Sequence, residues 1–225
     1  MNSVIIAAAG SGTRFGSDTP KQFHILGGKP LIAHTIAAFE QCGQIDKIVI
    51  AAASDQIQAI EQIVNDHKFT KADRIVAGAG TRAGSVKNGF NAVDKSSSVV
   101  AVHDGARPFV TPKEIVAVLE KADESGAACL VGSVVDTIKQ IENGTIARTI
   151  DRNSLRRALT PQAFRYSILQ EALAGDLSEN MTDECSLVER LGVSITYIEG
   201  SSRNIKITTP DDILIAEAFL AAHDK

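Results

Sequence analysis

"VIIAAAGSGTRFGSDTPKQF", residues 4–23, opens as an apolar run and then breaks into a loop carrying Gly10, Gly12, Gly16 and Pro20. The run "VIIAAA" (4–9) is near-continuous apolar, as a strand buried on both faces must be. A glycine-rich loop directly after the first strand of a parallel sheet lies at the carboxyl ends of the strands, where such sheets bind ligands. Glycine lets backbone N–H groups approach phosphate oxygens closely. The loop is not G-x-G-x-x-G, because Phe15 stands where the last glycine belongs, and it is not a Walker loop. What remains is a glycine-rich turn with Arg14 inside it and Lys21 seven residues on. Arg offers a planar fork to phosphate and Lys a movable point charge, and together they suit a triphosphate. A glycine loop with solvated surface charges is the alternative that this stretch alone leaves open.

Outward from the loop, short apolar runs alternate with helical patterns. "KIVIAAA" (47–53), "DRIVAG" (73–78), "SVVAVHD" (98–104) and "ACLVGSVV" (128–135) read as further buried strands. Residues 30–41 place Leu31, Ile32, Ile36 and Phe39 on one helical stripe, and residues 55–66 do the same with Ile57, Ile60, Ile63 and Val64. A helix over 111–124 starts with Thr111 as N-cap and Pro112 at the first helical position. The β-α-β-α order predicts an α/β fold with a mostly parallel, Rossmann-like sheet covered by helices.

Residues 136–152, "DTIKQIENGTIARTIDR", depart from this pattern. Asn143-Gly144 is a strong two-residue hairpin signal, and the flanks are polar and β-branched. A hairpin with so little apolar surface either projects from the body or forms an ordinary sheet edge. The last pattern, "TTPDDILIAEAFLAAH" (208–223), predicts a helix capped by Thr209, with Pro210 first and Asp211 and Asp212 in the first turn. Its stripe of Ile213, Ala216, Phe219 and Leu220 is expected to dock on the sheet. With no repeat and no linker, residues 1–225 read as a single domain.

Composition narrows the function. A net charge of −4 argues against a general nucleic-acid binder. No apolar stretch reaches the length of a membrane span, and the N-terminus has no secretory pattern. Cys42, Cys129 and Cys185 are odd in number and widely spaced, which fits buried thiols in a reducing cytoplasm. The five histidines show no metal-ligand spacing.

The loop "AAAGSGTRFGSDTPKQF" (7–23) and the following "GGKPLIAHTIAAF" resemble the N-terminal signature of sugar-nucleotidyltransferases. "VHDGARPFV" (102–110), "VDTIK" (135–139), "DRNSLRRALTPQAF" (151–164), "TDECSLVE" (182–189) and "GSSRNIKITTPDD" (200–212) narrow the resemblance to the 2-C-methyl-D-erythritol 4-phosphate cytidylyltransferase family, of the non-mevalonate isoprenoid pathway. The motifs follow in one order from about residue 3 to residue 220. The resemblance implies a GT-A-like nucleotidyltransferase fold. It also implies a reaction in which methylerythritol phosphate attacks the α-phosphorus of CTP and pyrophosphate leaves. Ribitol 5-phosphate cytidylyltransferases share the first loop and the fold. The "HDGARP" stretch, with Gly105 and Ala106 before Arg107, and the motifs at 151–162 and 182–189 lean toward the methylerythritol enzyme. A catalytically silent nucleotide-binding module would be expected to lack Arg14, Lys21 or Lys206, and all three are present. A fusion to the cyclase of the same pathway is not expected at this length.

Residue by residue, the resemblance makes Arg14, Lys21 and Lys206 the catalytic set. Arg14 and Lys21 would grip the triphosphate, and Lys206 would hold the α-phosphate and the acceptor together. Ala8, Ala9, Gly10, Ser11 and Gly12 would contact the nucleotide. Ala79, Gly80 and Ser85, in "AGAGTRAGSV" (77–86), would contact the base. Many relatives carry an acidic residue where Gly80 stands, so any contact there falls to the backbone. Arg82 belongs to the same loop, with an ordinary surface position on a helix as the equal alternative. Asp104 and Gly105 would lie near the ribose, and Asp104 and Arg107 near the acceptor alcohol. Thr137, Arg152 and Thr160 would bind the acceptor, with Thr182 assisting. The hairpin at 136–152 would be a dimerisation arm, so that each site is shared in a homodimer. Mg²⁺ is implied by triphosphate chemistry and would be held mainly by the phosphates of CTP. Asp104 is the one protein contact offered for it. The alternative for Asp104 is a strand-end carboxylate bonded to the "GARP" loop.

Overall fold

The computed structural model describes residues 1–10, 15, 19–177 and 182–222. The chain order is β1 (Asn2–Ala8), β2 (Ile25–Leu26), β3 (Lys29–Pro30), α1 (Leu31–Glu40), β4 (Lys47–Ala52), α2 (Ile57–Asp66), β5 (Ala72–Ala77) and α3 (Arg82–Asn91). There follow β6 (Val99–Asp104), α4 (Pro112–Ser125), β7 (Ala127–Ser133), β8 (Ile138–Glu142), β9 (Thr145–Ile150), β10 (Arg156–Arg165), α5 (Tyr166–Ala174), α6 (Glu184–Glu189), β11 (Thr196–Glu199) and α7 (Pro210–Ala221). The five strands and four helices expected from periodicity all form, with boundaries shifted by one or two residues.

Seven strands make one sheet in the order β11-β7-β10-β6-β1-β4-β5. Its ladders are parallel except on the two sides of β10, which runs against both β6 and β7. The sheet is covered on both faces, which is why its central strands need no polar alternation. Val4 and Ile6 of β1 face a cluster with Ile36, Phe39, Ile60, Ile115 and Leu119 of α1, α2 and α4. Ile5 faces the other side, with Val86, Phe90, Leu169 and Val188 of α3, α5 and α6. Gly89 permits that second contact, because a Cβ there would come within 2.6 Å of Ile5 Cγ2.

β10 escapes a reading by periodicity because Pro161 stands in its middle, and proline cannot donate to a ladder. The structure seats Pro161 in a register shift between Ala158 and Gln162. There the Thr160 hydroxyl, rather than a carbonyl, accepts from the Asp104 N–H at 3.1 Å.

The capping signals behave as read. Thr111 and Glu114 form a capping box on α4, and Thr209 and Asp212 form one on α7. The docking of α7 differs from expectation. Ile213, Ala216 and Leu220 pack with Leu26, Leu31, Ala106 and Ile207 in a separate cluster beside the β2–β3 ribbon, not on the seven-stranded sheet. Phe219 meets Phe109 edge-on at 5.6 Å. The seven-stranded sheet is already roofed by the other helices, so the last helix closes the segment that carries Lys206.

β8 and β9 pair only with each other, in a ribbon separate from the main sheet. Asn143 and Gly144 have φ of 49° and 77°, the left-handed pair that a tight hairpin turn needs. Most residues of the ribbon are exposed, including Ile141 at 58% and Ile146 at 64%.

Candidate functional site

The carboxyl ends of β1 and β6 open onto a cavity of about 410 Å³, within the size range of small-molecule sites. Ala8, Ala9 and Gly10 form its floor where β1 ends, and Gly105 follows β6. Ala79, Gly80, Arg82 and Ser85 supply the wall between β5 and α3. Gly78 lets this wall close on the floor, since a Cβ there would stand 2.3 Å from Ala9 Cβ. The Ser85 hydroxyl accepts from the Ala79 N–H at 2.9 Å and donates to the Thr81 carbonyl at 2.8 Å, so it shapes the loop from the cavity side.

Lys21 enters from the short turn after Pro20, and its Nζ donates to the Ile207 carbonyl at 3.3 Å. The next residue anchors that turn. Gln22 is buried, and its amide donates to the Ala8 carbonyl at 3.1 Å and to the Gln56 side chain. Ile207 in turn donates its N–H to the Ala106 carbonyl at 2.8 Å. The amino-terminal lysine and the segment before the last helix therefore converge on the end of β6.

Asp104 is the hub. Its Oδ1 lies 3.2 Å from Arg82 Nε, and its Oδ2 lies 3.2 Å from Arg107 Nε and 2.9 Å from Lys206 Nζ. Burial opposes ionisation of Asp104, but Arg82, Lys206 and Arg107 outweigh it and hold the carboxyl well below the usual carboxylate range. A second cavity, of about 210 Å³, lies on the far side of this cluster and is lined by Arg107, Thr160, Gln162 and Thr182 among others. Arg82, Asp104 and Lys206 line both cavities and form the wall between them. Arg82, Arg107 and Lys206 face Asp104 and Glu184 there, which leaves an excess of positive charge beside two spaces. Such a wall is suited to holding two anionic groups against each other.

The donors behind the wall are fully directed. His103 is completely buried, and burial pushes its imidazole down to about 4, so it is neutral near pH 7. Its Nε2 donates to the Arg107 carbonyl at 3.1 Å. Its Nδ1 is then a bare acceptor and takes the Thr160 hydroxyl proton at 3.0 Å. Thr160 thus uses its one proton on His103 while it accepts from Asp104. Its side chain sets the end of β6 and has no proton left to offer a phosphate. Arg107 Nη1 donates to the Asn204 carbonyl at 2.9 Å, and Asn204 Nδ2 donates to the Thr160 carbonyl at 2.9 Å.

Comparison with known proteins decides the family. Residues 2–222 match the family model described as "IspD: 2-C-methyl-D-erythritol 4-phosphate cytidylyltransferase". The chain belongs to that family. It is 43% identical over 225 residues to the 2-C-methyl-D-erythritol 4-phosphate cytidylyltransferase of Halalkalibacterium halodurans, covering 99% of this chain and 98% of that protein. To the protein of the same name in Syntrophus aciditrophicus it is 42% identical, covering 96% and 94%. The crystal structure of a 4-diphosphocytidyl-2C-methyl-D-erythritol synthase from Anaerococcus prevotii superposes with a TM-score of 0.85 at 26% identity, covering 98% of this chain and 96% of that one. The chain is thus a nucleotidyltransferase, a cytidylyltransferase of isoprenoid biosynthesis, and the ribitol-phosphate and non-catalytic readings give way.

Of the positions singled out by likeness to the cytidylyltransferase family, Ala8, Ala9, Gly10, Lys21, Ala79, Gly80, Ser85, Asp104, Gly105 and Lys206 all line the larger cavity. Arg107, Thr160 and Thr182 line the smaller one. Ser11, Gly12 and Arg14 lie outside the described residues. Thr137 and Arg152 are exposed beside the hairpin and line neither cavity of their own chain. Arg82 is no ordinary surface helix residue, because its guanidinium bonds both Asp104 and Glu184. Glu184, Gln22, Gln162 and His103 were not legible as site residues. Glu184 stands first in α6 behind the N-cap Asp183, where an acid is the ordinary helix-start choice, so its pattern carried no signal of a buried charge.

Asp104 does not fit a direct metal ligand, since both its oxygens already face cations. No cluster of three or more acidic, histidine or cysteine side chains suited to a metal occurs among the described residues. Nor is any helix among them long and apolar enough to cross a membrane.

Proposed function

We propose that the larger cavity binds CTP and the smaller one 2-C-methyl-D-erythritol 4-phosphate, with the reacting phosphates meeting at the wall of Arg82, Asp104 and Lys206. The observation that carries this reading is that these three side chains line both cavities. An oxygen of the acceptor phosphate attacks the α-phosphorus of CTP, the bond from that phosphorus to the β-phosphate oxygen breaks, and pyrophosphate leaves with the electron pair. The nucleophile is already an anion, so no side chain has to remove its proton. The chain's work is then in-line placement and neutralisation of charge gathering on the α-phosphate and the leaving group.

Lys206 lies on the shared wall and is the cation placed to bridge the two phosphates. Lys21, tethered to the next residue, Ile207, approaches the same point from the nucleotide side. Arg14 completes the grip on the triphosphate. The backbone at Ala8, Ala9 and Gly10, with Ser11 and Gly12, follows the phosphates. Ala79, Gly80 and Ser85 meet the base, and Asp104 and Gly105 the ribose. Arg107 and Thr182 line the acceptor side. A divalent ion such as Mg²⁺ would be held mainly by the phosphates of CTP and would offset part of their charge.

The same reading makes the protein a homodimer. Thr137 and Arg152 line neither of their own chain's two cavities, and the ribbon beside them shows Ile141 and Ile146 to solvent. A second copy that covers these apolar side chains would receive Thr137 and Arg152 at its acceptor cavity. Cys42, Cys129 and Cys185 are all buried free thiols, which suits a reducing cytoplasm.

The experiment is pyrophosphate release with CTP and Mg²⁺, comparing methylerythritol phosphate with ribitol 5-phosphate. Turnover with the first and little with the second is expected. Equal or better use of ribitol 5-phosphate would overturn the acceptor assignment.

A further inference from the structure

Glu184 is wholly buried, yet it is a carboxylate at the start of a six-residue helix. Arg82 Nη1 donates to its two oxygens at 2.6 and 2.7 Å. The same guanidinium donates through Nε to Asp104 at 3.2 Å. Arg82 therefore has two carboxylates to satisfy, one in the shared wall and one behind it. Burial pushes the Glu184 carboxyl up, and the Arg82 guanidinium offsets only part of that rise.

The placement of Glu184 is set from both sides by one side chain. Gln162, on β10 and itself buried, donates to Asp183 Oδ2 at 2.8 Å and accepts from the Cys185 N–H at 3.1 Å. Asp183 also caps the helix through the Ser186 N–H at 3.0 Å. The residues on each side of Glu184 are thus pinned to the central sheet, and its carboxylate stays against Arg82. A buried ion pair is a poor source of net stability, because desolvating two charges offsets their attraction. It is a good way to hold a guanidinium in one orientation.

We propose that Glu184 is a positioning residue of the cytidylyl transfer, acting through Arg82 to hold Asp104 and the wall between the two cavities in the reactive arrangement. The proposal rests on the assignment of the cavities to CTP and acceptor given above. Without Glu184, the Arg82 guanidinium is free to turn fully onto Asp104 and compete there with Lys206, which then loses its fixed place. Substrates would still enter, but the phosphates would meet out of line.

The test uses the full chain and measures CTP binding by calorimetry alongside steady-state pyrophosphate release. Glu184→Gln keeps the shape and removes the charge. It should lower kcat about 10–100-fold while the CTP Kd changes by less than about threefold. Glu184→Asp keeps the charge but is one methylene short, and should also slow turnover. In an Arg82→Met background, adding Glu184→Gln should cause no further loss, because the effect passes through Arg82. Wild-type kcat in Glu184→Gln, or losses that multiply in the double variant, would overturn the proposal. If Glu184→Gln does not fold, as judged by its melting curve, wild-type kcat in Glu184→Asp overturns it instead. Failure of the unmodified chain to bind CTP would be a different result. It would remove the cavity assignment, and the proposal with it.

Discussion

Lys206 Nζ lies 2.9 Å from Asp104 Oδ2, so the segment before the last helix is joined by charge to the end of a central strand. The two residues are 102 positions apart in sequence. Lys21 binds the carbonyl of the neighbouring Ile207, which places both lysines at one cavity. Two cationic side chains from distant parts of the chain are therefore gathered around one strand terminus.

Lys206→Met should lower kcat by about 10²–10³, the usual cost of one preorganised donor to a developing charge. Asp104 keeps Arg82 and Arg107 in this variant, so the melting temperature should change little. Pyrophosphate release and a thermal melt on the same preparation check both parts. An unchanged rate would take Lys206 out of the transfer step.

Lys21→Ala should reduce turnover by about 10² or more while weakening CTP binding far less, because its charge matters most as pyrophosphate departs. Calorimetry with CTP set against the turnover rate separates the two effects. Equal losses in both would make Lys21 a plain binding residue.

Stability should fall on mild acidification through His103. Burial lowers its imidazole from 6.5 to about 4 in the folded chain. The unfolded chain takes up that proton first, so the contribution is complete above pH 6.5 and declines as the pH falls toward 4. The slope is roughly 1.4 kcal/mol per pH unit. Asp104 adds nothing in that window. Its depressed carboxyl contributes fully above the unfolded value of about 3.9 and loses that contribution only as the pH falls through its lower folded value. Denaturant melts from about pH 7 to about pH 5 should show the slope in the parent and a flatter one in His103→Gln. The same slope in both would assign it to another group.

Removing residues 138–149 should yield monomers by light scattering and should abolish acceptor turnover, since Thr137 and Arg152 would no longer reach a second copy. Dimers that survive the deletion would defeat the arm.

Thr137→Ala should raise the KM for methylerythritol phosphate about tenfold, the cost of one hydrogen bond to a charged group, and leave the melting curve unmoved. Thr137 is exposed and lies outside the regular elements, so a loss of folding would count against a binding role.

The order of the five expected strands and four expected helices, and the opening of the first loop at the carboxyl edge of the sheet, were legible in the sequence because they depend on local rules. Buried parallel strands must be continuously apolar, helix starts need a cap, and a glycine loop after the first strand must open at the carboxyl edge of the sheet. Asn143-Gly144 specified its turn for the same reason. What only the tertiary structure decided depends on partners far apart in the chain. Pro161 hid β10, and it is accommodated in a register shift between Ala158 and Gln162, beside which the Thr160 hydroxyl accepts from the Asp104 N–H. The stripe on α7 was legible but its docking surface was not, since a stripe does not say which apolar surface is still uncovered. Arg82 could be a loop contact or a surface charge until Glu184 and Asp104 were found on either side of it. Periodicity records that a side chain is buried. It does not record which buried charge meets which, and the wall between the two cavities is made of those meetings.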